Sequence, residues 1–574
     1  MLKRGLLPAA LAVALASPAF AGAATLMPGV TYTRDVRMVG SKPVVVHVVR
    51  TPRHGGNHRL RPVLSHGTVL GRQTVPDMQR DLSRRATTVG VNGDFFRLDR
   101  GWPSGLFLRD GVMATRPNKG RSALGIAFDG SLLVDRFGFA GSWRTEAAGG
   151  NRVHQVNRAL EVPHAVGLFT PAWGGQTPRR RRAVEVVLRG FPKALVNGFL
   201  TGTVTAVRRG GGTWVPPDGA VLQARGRFRR DLRREAPRGT AVTVSLRVPN
   251  LPDDVADAIG GGPALVANGA PLRQTDEWFT LSQLLPRHPR SAVGQLPGGR
   301  IIFVVADGRS PISYGLTNWE LARLMASLGA ETAMAFDGGG SATLAFDGRV
   351  LNRPSDGPVR PVATGLFVHY YGVYAPPVPA PPLSPNGDGV ADSKVLAAKL
   401  VRRSSVVARL LRPNGSVAWR FEGVVRRGRI RHAVGGPRMA EGAWRWVVDA
   451  TEVRSGRTST ARRGFRVNKT LGHLRLSRER LRIGKGRRGT LGVRVRLAHA
   501  ASLAATVRSP SGRTVRVLVR GDAAAGAKSW RWNGRNRAGR LVGSGTYTVR
   551  VAARNGLGRV QLAQRLRVVR VRRG

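Results

Sequence analysis

Two acidic turns carry the strongest chemical signal in this chain: Asp307-Gly308-Arg309 and Asp337-Gly338-Gly339-Gly340-Ser341. Each closes a short apolar run, Ile301-Ile302-Phe303-Val304-Val305 before the first and Thr332-Ala333-Met334-Ala335-Phe336 before the second. A pair of carboxylates at one sheet edge can divide acid and base or nucleophile roles, or hold a cation. The Gly triplet lets backbone N–H groups approach an anionic ligand with no Cβ in the way. The same residues also suit two independent Asp-Gly turns, the second opening a hairpin, as Asp347-Gly348 does a few residues later.

The elements that would position these groups can be read around them. A continuous apolar run is the mark of a strand buried on both faces. Thr317-Asn318-Trp319-Glu320 forms a capping box, Leu321, Leu324, Met325 and Leu328 follow at helical spacing, and Gly329 ends the helix. Strand, helix and strand in about 35 residues predict a βαβ unit with parallel strands and a right-handed crossover. Asp307 and Asp337 then emerge on one sheet edge, about 5 Å apart on adjacent strands or about 10 Å apart with one strand between. Ligands bind at that edge in open α/β arrangements.

Other constellations are weak. His54-Gly55-Gly56-Asn57-His58 spaces two histidines by four, but the glycines predict a loop, not a metal-binding helix. Motifs of the HExxH, G-x-S-x-G and Walker A kinds are missing, and the four arginines at 179–182 read as an exposed loop.

The 574 residues carry 93 Lys+Arg against 33 Asp+Glu, a formal charge of +60, and no Cys. Zero Cys excludes disulfides, thiolate metal sites and a thiol nucleophile. The charge alone suggests nucleic acid, but 45 basic and 8 acidic residues fall in 384–574, remote from the acidic turns. Much of that Arg alternates with apolar residues, as at Arg494 and Arg496 or Arg565 and Arg567, which predicts the wet face of half-buried sheets. With no helix-turn-helix, zinc-finger or RNP-like pattern, no specific nucleic-acid partner is expected.

Residues 1–23 read as a secretory signal: Lys3 and Arg4, an apolar stretch over 6–16, then small residues at Ala19, Ala21 and Ala23. No segment reaches about 18 uninterrupted apolar residues, so no membrane span is expected and the location is secreted or extracytoplasmic. The run PPVPAPPLSP marks a stiff linker at 373–385. It separates a large domain at 25–372 from two modules of alternating strands, 386–468 and 469–574, each read as an antiparallel sandwich. Asn386, Asp388 and Asp392 could line a calcium loop but lack a closing bidentate acid, so a turn is expected. The fold class is thus an α+β, mixed-sheet catalytic domain containing a βαβ unit, followed by all-β immunoglobulin-like sandwiches.

Two resemblances extend this reading. The stretches 384–389 and 532–539 resemble the ends of FlgD-type immunoglobulin-like modules. The ordered series Val91-Asn92-Gly93-Asp94-Phe95-Phe96, Pro103-Ser104-Gly105, Gly260-Gly261-Gly262-Pro263, Arg290-Ser291-Ala292, Asp307-Gly308-Arg309, Asp337-Gly338-Gly339-Gly340-Ser341 and Asn352-Arg353-Pro354 resembles the phosphodiester glycosidase family, over residues 30–370. That is the family of the lysosomal mannose-phosphate uncovering enzyme; Ala342 departs slightly from its pattern after the Gly-Ser turn. The resemblance implies cleavage of a sugar-1-phosphate phosphodiester at the glycosidic bond, on a phosphorylated glycan or cell-wall polymer.

On that reading Asp337 is the leading carboxylate, nucleophile or base, and Asp307 its partner. Arg290 and Arg360 bind phosphate through charge-assisted forks, and Gly339, Gly340 and Ser341 donate hydrogen bonds. Asn92, Asp94 and Asn352 contact sugar hydroxyls. No cofactor is called for, with a divalent cation left open. The competing expectation is a non-catalytic wall- or polysaccharide-binding protein that keeps the fold.

Overall fold

The apolar runs and period-two alternations become strands almost throughout, and helices are few and short. In this computed structural model residues 23–147, 149–273, 276–484 and 489–571 are described; the expected secretory signal lies, except for its last residue, outside them. Two compact units divide the chain, Met1–Tyr370 and Tyr371–Gly574.

The first unit is built on an eight-stranded sheet in the order Ala24–Met27, Val30–Val39, Lys42–Arg53, Arg300–Ala306, Arg290–Leu296, Thr332–Phe336, Ala264–Ala267, Ala270–Pro271. Every neighbouring pair is antiparallel. The two strands expected to flank the helix in a βαβ unit are therefore not neighbours. The Arg300–Ala306 and Thr332–Phe336 strands run the same way, but Arg290–Leu296 lies between them and pairs with both. The cause is local: Arg290–Leu296 folds straight back onto Arg300–Ala306 through Pro297-Gly298-Gly299, with Leu296 opposite Arg300. Gly298 and Gly299 both take positive φ, 74° and 76°, which a tight reversal needs. That hairpin occupies the flank where the returning strand would otherwise have paired.

The connecting helix is Asn318–Ser327. Its capping box forms as expected: Glu320 N–H donates to Thr317 Oγ1 at 3.1 Å, and Thr317 N–H to Glu320 Oε2 at 3.0 Å. Leu321, Ala322, Leu324 and Met325 pack on Val44, Ile302, Val304, Ala333 and Ala335 of the sheet. A buried Leu or Met contributes about 1.5–3 kcal/mol, so this face, rather than helix propensity, holds the helix in place.

Two five-stranded sheets complete the frame. One runs Arg349–Val350, Leu344–Phe346, Thr87–Asn92, Thr364–Tyr370, His58–Leu64, and the other Val112–Thr115, Phe107–Arg109, Val255–Gly260, Ala123–Ala127, Leu132–Asp135. A second eight-stranded sheet, formed entirely by residues 140–247, has a core around Trp143, Leu168, Val186, Leu222 and Val244. The His54–His58 stretch is a tight loop: Gly55 and His58 exchange backbone hydrogen bonds, and each ring binds backbone, His54 from Leu60 N–H and His58 to Pro28 O.

The second unit holds two sandwiches. In the first, a two-stranded sheet faces the four-stranded sheet Val417–Val425, Ser404–Leu411, Gly442–Glu452, Thr458–Val467; in the second, three strands face five. The 373–385 segment is not a free spacer. Val373, Ala375 and Leu383 lie in the core of the first sandwich, and Leu383 N–H donates to Arg466 O. The apolar residues between the prolines are what dock it. The 386–392 stretch is a turn: Asp392 accepts the N–H groups of Asn386, Gly387 and Gly389, and Asp388 those of Val390 and His473. Along Leu491–Leu497 Arg494 and Arg496 are exposed while Val493 and Val495 are buried, as are Leu566 and Val568 beside exposed Arg565 and Arg567.

Candidate active site

Strand ends from three different sheets converge at one place. Asp337 follows Thr332–Phe336, Asp94 lies two residues beyond Thr87–Asn92, and Gly260-Gly261-Gly262 closes Val255–Gly260. Backbone hydrogen bonds lock them together: Asp337 N–H to Gly93 O at 3.1 Å and Gly262 N–H to Ala335 O at 2.9 Å. Gly260 is required here, because a Cβ on it would sit 2.6 Å from Asp94 Oδ2. Beside this junction opens a cleft of about 210 Å³, lined by Asp337 and the Gly triplet, by Arg290, Arg309 and Arg360, by His288 and Asn318, and by Phe95 and Phe279.

Asp337 keeps one face on the cleft but is otherwise enclosed, and burial pushes its carboxyl up to about 6. Opposing this are a hydrogen bond from Ser341, the charge of Arg360, the N–H of Gly338 and the charge of Arg121. Asp94 is more deeply buried, 2 % exposed. Burial pushes it up to about 7 despite the 2.6 Å hydrogen bond from Gly105 N–H and the charge of Arg121, and the charge of Asp337 adds to the rise. Two carboxyls raised into the neutral range in one site are the pattern of an acid–base machine. The carboxylate that shares the field of Asp337 is therefore Asp94.

Arg121 is held between two rings, 4.8 Å from the centre of Phe95 and 4.5 Å from that of Phe279. Its Nε–H donates to Trp278 O. This sandwich keeps a guanidinium close to Asp94 and Asp337 without a direct ion pair to either in the structure.

The opposite wall is cationic. Arg290 is 7 % exposed; burial, with repulsion from Arg309, lowers it to about 10, so it stays charged at neutral pH. Its Nε–H donates to Leu316 O, and its Nη2 to Gln283 O and Pro286 O. Those bonds pin the wall and leave the Nη1 side toward Gly338 for a ligand. Arg309 takes a positive φ of 59° and its Nη2 lies 3.4 Å from His288 Nδ1. His288 is lowered by burial first, then by Arg290 and Arg309, all of which disfavour its charged form. Arg360 pairs with Asp356 through Nε at 2.9 Å and Nη2 at 2.6 Å, and Nη1 reaches Ser341 Oγ at 3.4 Å. Gly340 has to be glycine for this, since a Cβ would meet Asp356 Oδ2 at 2.0 Å. Asn318 Nδ2 donates to Gln283 O, while its Oδ1 is buried in the cleft wall without a partner.

The remaining expected residues fall elsewhere. Asp307 does not line the cleft: Oδ2 meets His47 Nε2 at 3.1 Å, and Oδ1 accepts Asn352 Nδ2 and Arg353 N–H. His47 in turn meets Tyr32 OH at 2.9 Å. Asp307 thus ties four chain segments together, because the intervening strand moves its turn away from Asp337. Asn352 is occupied by Asp307, Ala342 O and Leu344 N–H, and so is not a free sugar contact. Asn92 is wholly buried: Nδ2 donates to Asp337 O at 2.7 Å, and Oδ1 accepts Ser291 Oγ and Thr343 N–H. It clamps the Asp337 turn. Of the Gly-turn donors, Gly339 N–H is engaged by Pro289 O and Ser341 N–H by Gly338 O. Among the described residues no three His, Asp or Glu side chains are grouped to hold a metal ion.

Arg309, Phe95, Phe279 and Arg121 are absent from the candidates read from sequence. The first two sit inside motifs already singled out, Asp-Gly-Arg and Asn-Gly-Asp-Phe-Phe, and that adjacency was the available signal. Phe279 and Arg121 have none.

Residues 193–369 match the family model for phosphodiester glycosidase, and residues 481–556 that for the FlgD Ig-like domain. The first match contains Asp337, Arg290, Arg309 and Arg360 but begins well after Asn92 and Asp94. A Bacillus subtilis protein described as SPbeta prophage-derived uncharacterized protein YomE is 37 % identical over 97 residues, 17 % of this chain and 15 % of that one. The N-acetylglucosamine-1-phosphodiester alpha-N-acetylglucosaminidase of Bos taurus is 28 % identical over 220 residues, 35 % of this chain and 40 % of that enzyme; the Homo sapiens enzyme is 26 % identical over 242 residues, 38 % and 44 %. The chain thus spans less than half the length of these relatives. A hypothetical protein from Synechocystis shares the fold, with a TM-score of 0.52 and 22 % identity over 60 % of this chain and 62 % of that one.

Proposed function

We propose that the chain is an exported hydrolase that cleaves a sugar-1-phosphate phosphodiester at the glycosidic bond, on an extracellular or cell-wall glycan. The observation that carries this is one cleft holding a raised carboxyl, Asp337, against the guanidinium groups of Arg290, Arg309 and Arg360. The distant likeness to phosphodiester glycosidases supports the same chemistry.

A phosphate monoester is a good leaving group, so this reaction needs little general acid at the departing oxygen. It needs cations on the phosphate and a carboxylate beside the oxocarbenium-like carbon. Arg309 and the free side of Arg290 neutralise the phosphate as the C1–O bond breaks and its electron pair passes to the phosphate oxygen. Asp337 stands on the other side as nucleophile or as base for the attacking water. Asp94, raised further, carries a proton near neutrality and leaves Asp337 as the charged partner. Asn318 Oδ1 is an acceptor suited to a sugar hydroxyl.

Arg309→Ala should raise KM on a soluble sugar-1-phosphodiester by about 10–100-fold and lower kcat as well, because it removes a charge-assisted contact to a phosphate that gains charge as the C1–O bond breaks. Steady-state kinetics over a panel of such substrates checks this; unchanged KM would remove Arg309 from the phosphate site. The rate should fall as pH drops through about 6, since Asp337 must be ionised. Arg360 lowers that carboxyl, so Arg360→Gln should move this limb to higher pH, read from kcat/KM against pH. Binding of the panel with no turnover under any condition would favour a glycan-binding protein instead.

A further inference from the structure

Two segments that wall the cleft also carry its most exposed apolar side chains. The first runs 276–288 and supplies Phe279, Ser282, Gln283 and His288 to the cleft; the second runs 309–316 and supplies Arg309. On the first, Trp278 is 67 % exposed, Leu281 71 % and Leu285 64 %; on the second, Ile312 is 53 % and Tyr314 42 %. Single exposed apolar residues are ordinary, but five on two adjoining segments at the mouth of a site are not. The segments are joined directly, His288 and Leu316 exchanging both backbone hydrogen bonds.

This is a built surface, not a loose loop. Trp278 N–H donates to Gly120 O, and its carbonyl accepts Arg121 Nε–H. Glu277, buried beside it, accepts Ser122 N–H, Ser122 Oγ–H and Ala264 N–H. Thr280 and Gln283 form a capping box over the short helix Leu281–Leu284, and Arg290 holds the carbonyls of Gln283 and Pro286. The backbone is thus fixed from below, with one face of the Trp278 ring lying on Gly120 and the rest of it exposed beside Leu281 and Leu285. Cations accompany them: Lys42 lies over the Tyr314 ring at 5.2 Å, and Arg287 and Arg309 belong to the two segments themselves. Trp and Leu flanked by Lys and Arg is the composition that enters the headgroup region of an anionic bilayer, the apolar groups sinking to the acyl boundary and the cations meeting lipid phosphates.

We propose that the mouth of the cleft docks on an anionic lipid surface, and that it draws its substrates from glycosyl phosphates carried there by lipid. The docking stands on the rim alone; only the lipid-borne substrate class rests on the glycosidase reading.

The test uses the full chain with unilamellar vesicles of phosphatidylcholine containing about 30 % phosphatidylglycerol. Sedimentation is measured at about 0.15 M and about 0.5 M NaCl, since high salt strips purely electrostatic attachment of so basic a protein. Wild type should keep binding at the higher salt, with its Trp fluorescence quenched by brominated lipid. The variant Trp278→Ser/Leu281→Ser/Leu285→Ser should lose at least about 10-fold of that salt-resistant binding. It should keep the far-UV spectrum and melting temperature of wild type and its rate on a soluble sugar-1-phosphodiester. Wild-type binding abolished by salt, equal salt-resistant binding by the variant, or a dimer in sedimentation velocity that the three substitutions disrupt would each overturn the docking proposal. If the vesicle results hold but neither protein turns over any sugar-1-phosphodiester, soluble or lipid-borne, the glycosidase reading fails and the docking surface remains.

Discussion

Asp337→Asn is expected to lower kcat on a sugar-1-phosphodiester by at least about 100-fold while making the protein more heat-stable above pH 7. The two effects share one cause. Burial raises the carboxyl to about 6, so at neutral pH the folded protein holds a charge that its surroundings disfavour. The sign follows from proton counting. Between the ordinary carboxylate range and about 6, the folded chain keeps a proton that the unfolded chain has released, so stability falls as pH rises through that window. An amide of the same shape has no charge to desolvate, and its Tm at pH 8 should exceed that of wild type by about 2–4 °C. At pH 4, where the folded carboxyl and about half of the unfolded one are protonated, the difference should be much smaller. Turnover on a substrate panel with thermal melts at both pH values checks this. A near-normal rate would remove Asp337 from the chemistry, and an equal Tm at pH 8 would remove the strain.

Asn92→Ala should destabilise the first unit by about 2–4 kcal/mol and lower activity by a large factor in kcat. The substitution strips a partner from Asp337 O, Ser291 Oγ and Thr343 N–H together, all inside the protein. A sugar-contacting Asn would behave differently, raising KM and leaving the melt untouched. Urea titration beside steady-state kinetics separates the two. Asn92→Asp should fare no better, because a carboxylate cannot donate to Asp337 O and brings a buried charge close to Asp94.

Much of this architecture could be read from the residues, and where it could not the reasons are physical. The capping box at Thr317 and Glu320, the buried run before Asp307 and the alternating Arg of the sandwiches are local patterns, and local patterns survive folding. Which strand lies beside which is decided by chain segments far apart. Pro297-Gly298-Gly299 is itself a reversal signal, yet nothing short-range says that its hairpin will separate the strands of Asp307 and Asp337. The same limit governs the carboxylates. Asp307, Asn352 and Asn92 have the right chemistry and motif setting for a site, but only the packed structure reveals that their polar atoms already have partners. The prolines of 373–385 misled in the same way, because stiffness was evident and docking was not.

The convergence of three sheets at the cleft also bears on how the protein comes into being. Asn92 and Asp337 are 245 residues apart, and the sheet made by 140–247 between them gives no side chain to the cleft. A chain emerging from the ribosome can finish that intervening sheet early, from its own contacts. The cleft has to wait until the 332–336 strand arrives, and pairing across such separations is slow. Assembly of the cleft is therefore a late event in synthesis, and a product cut short before residue 337 would carry the 140–247 sheet and no cleft.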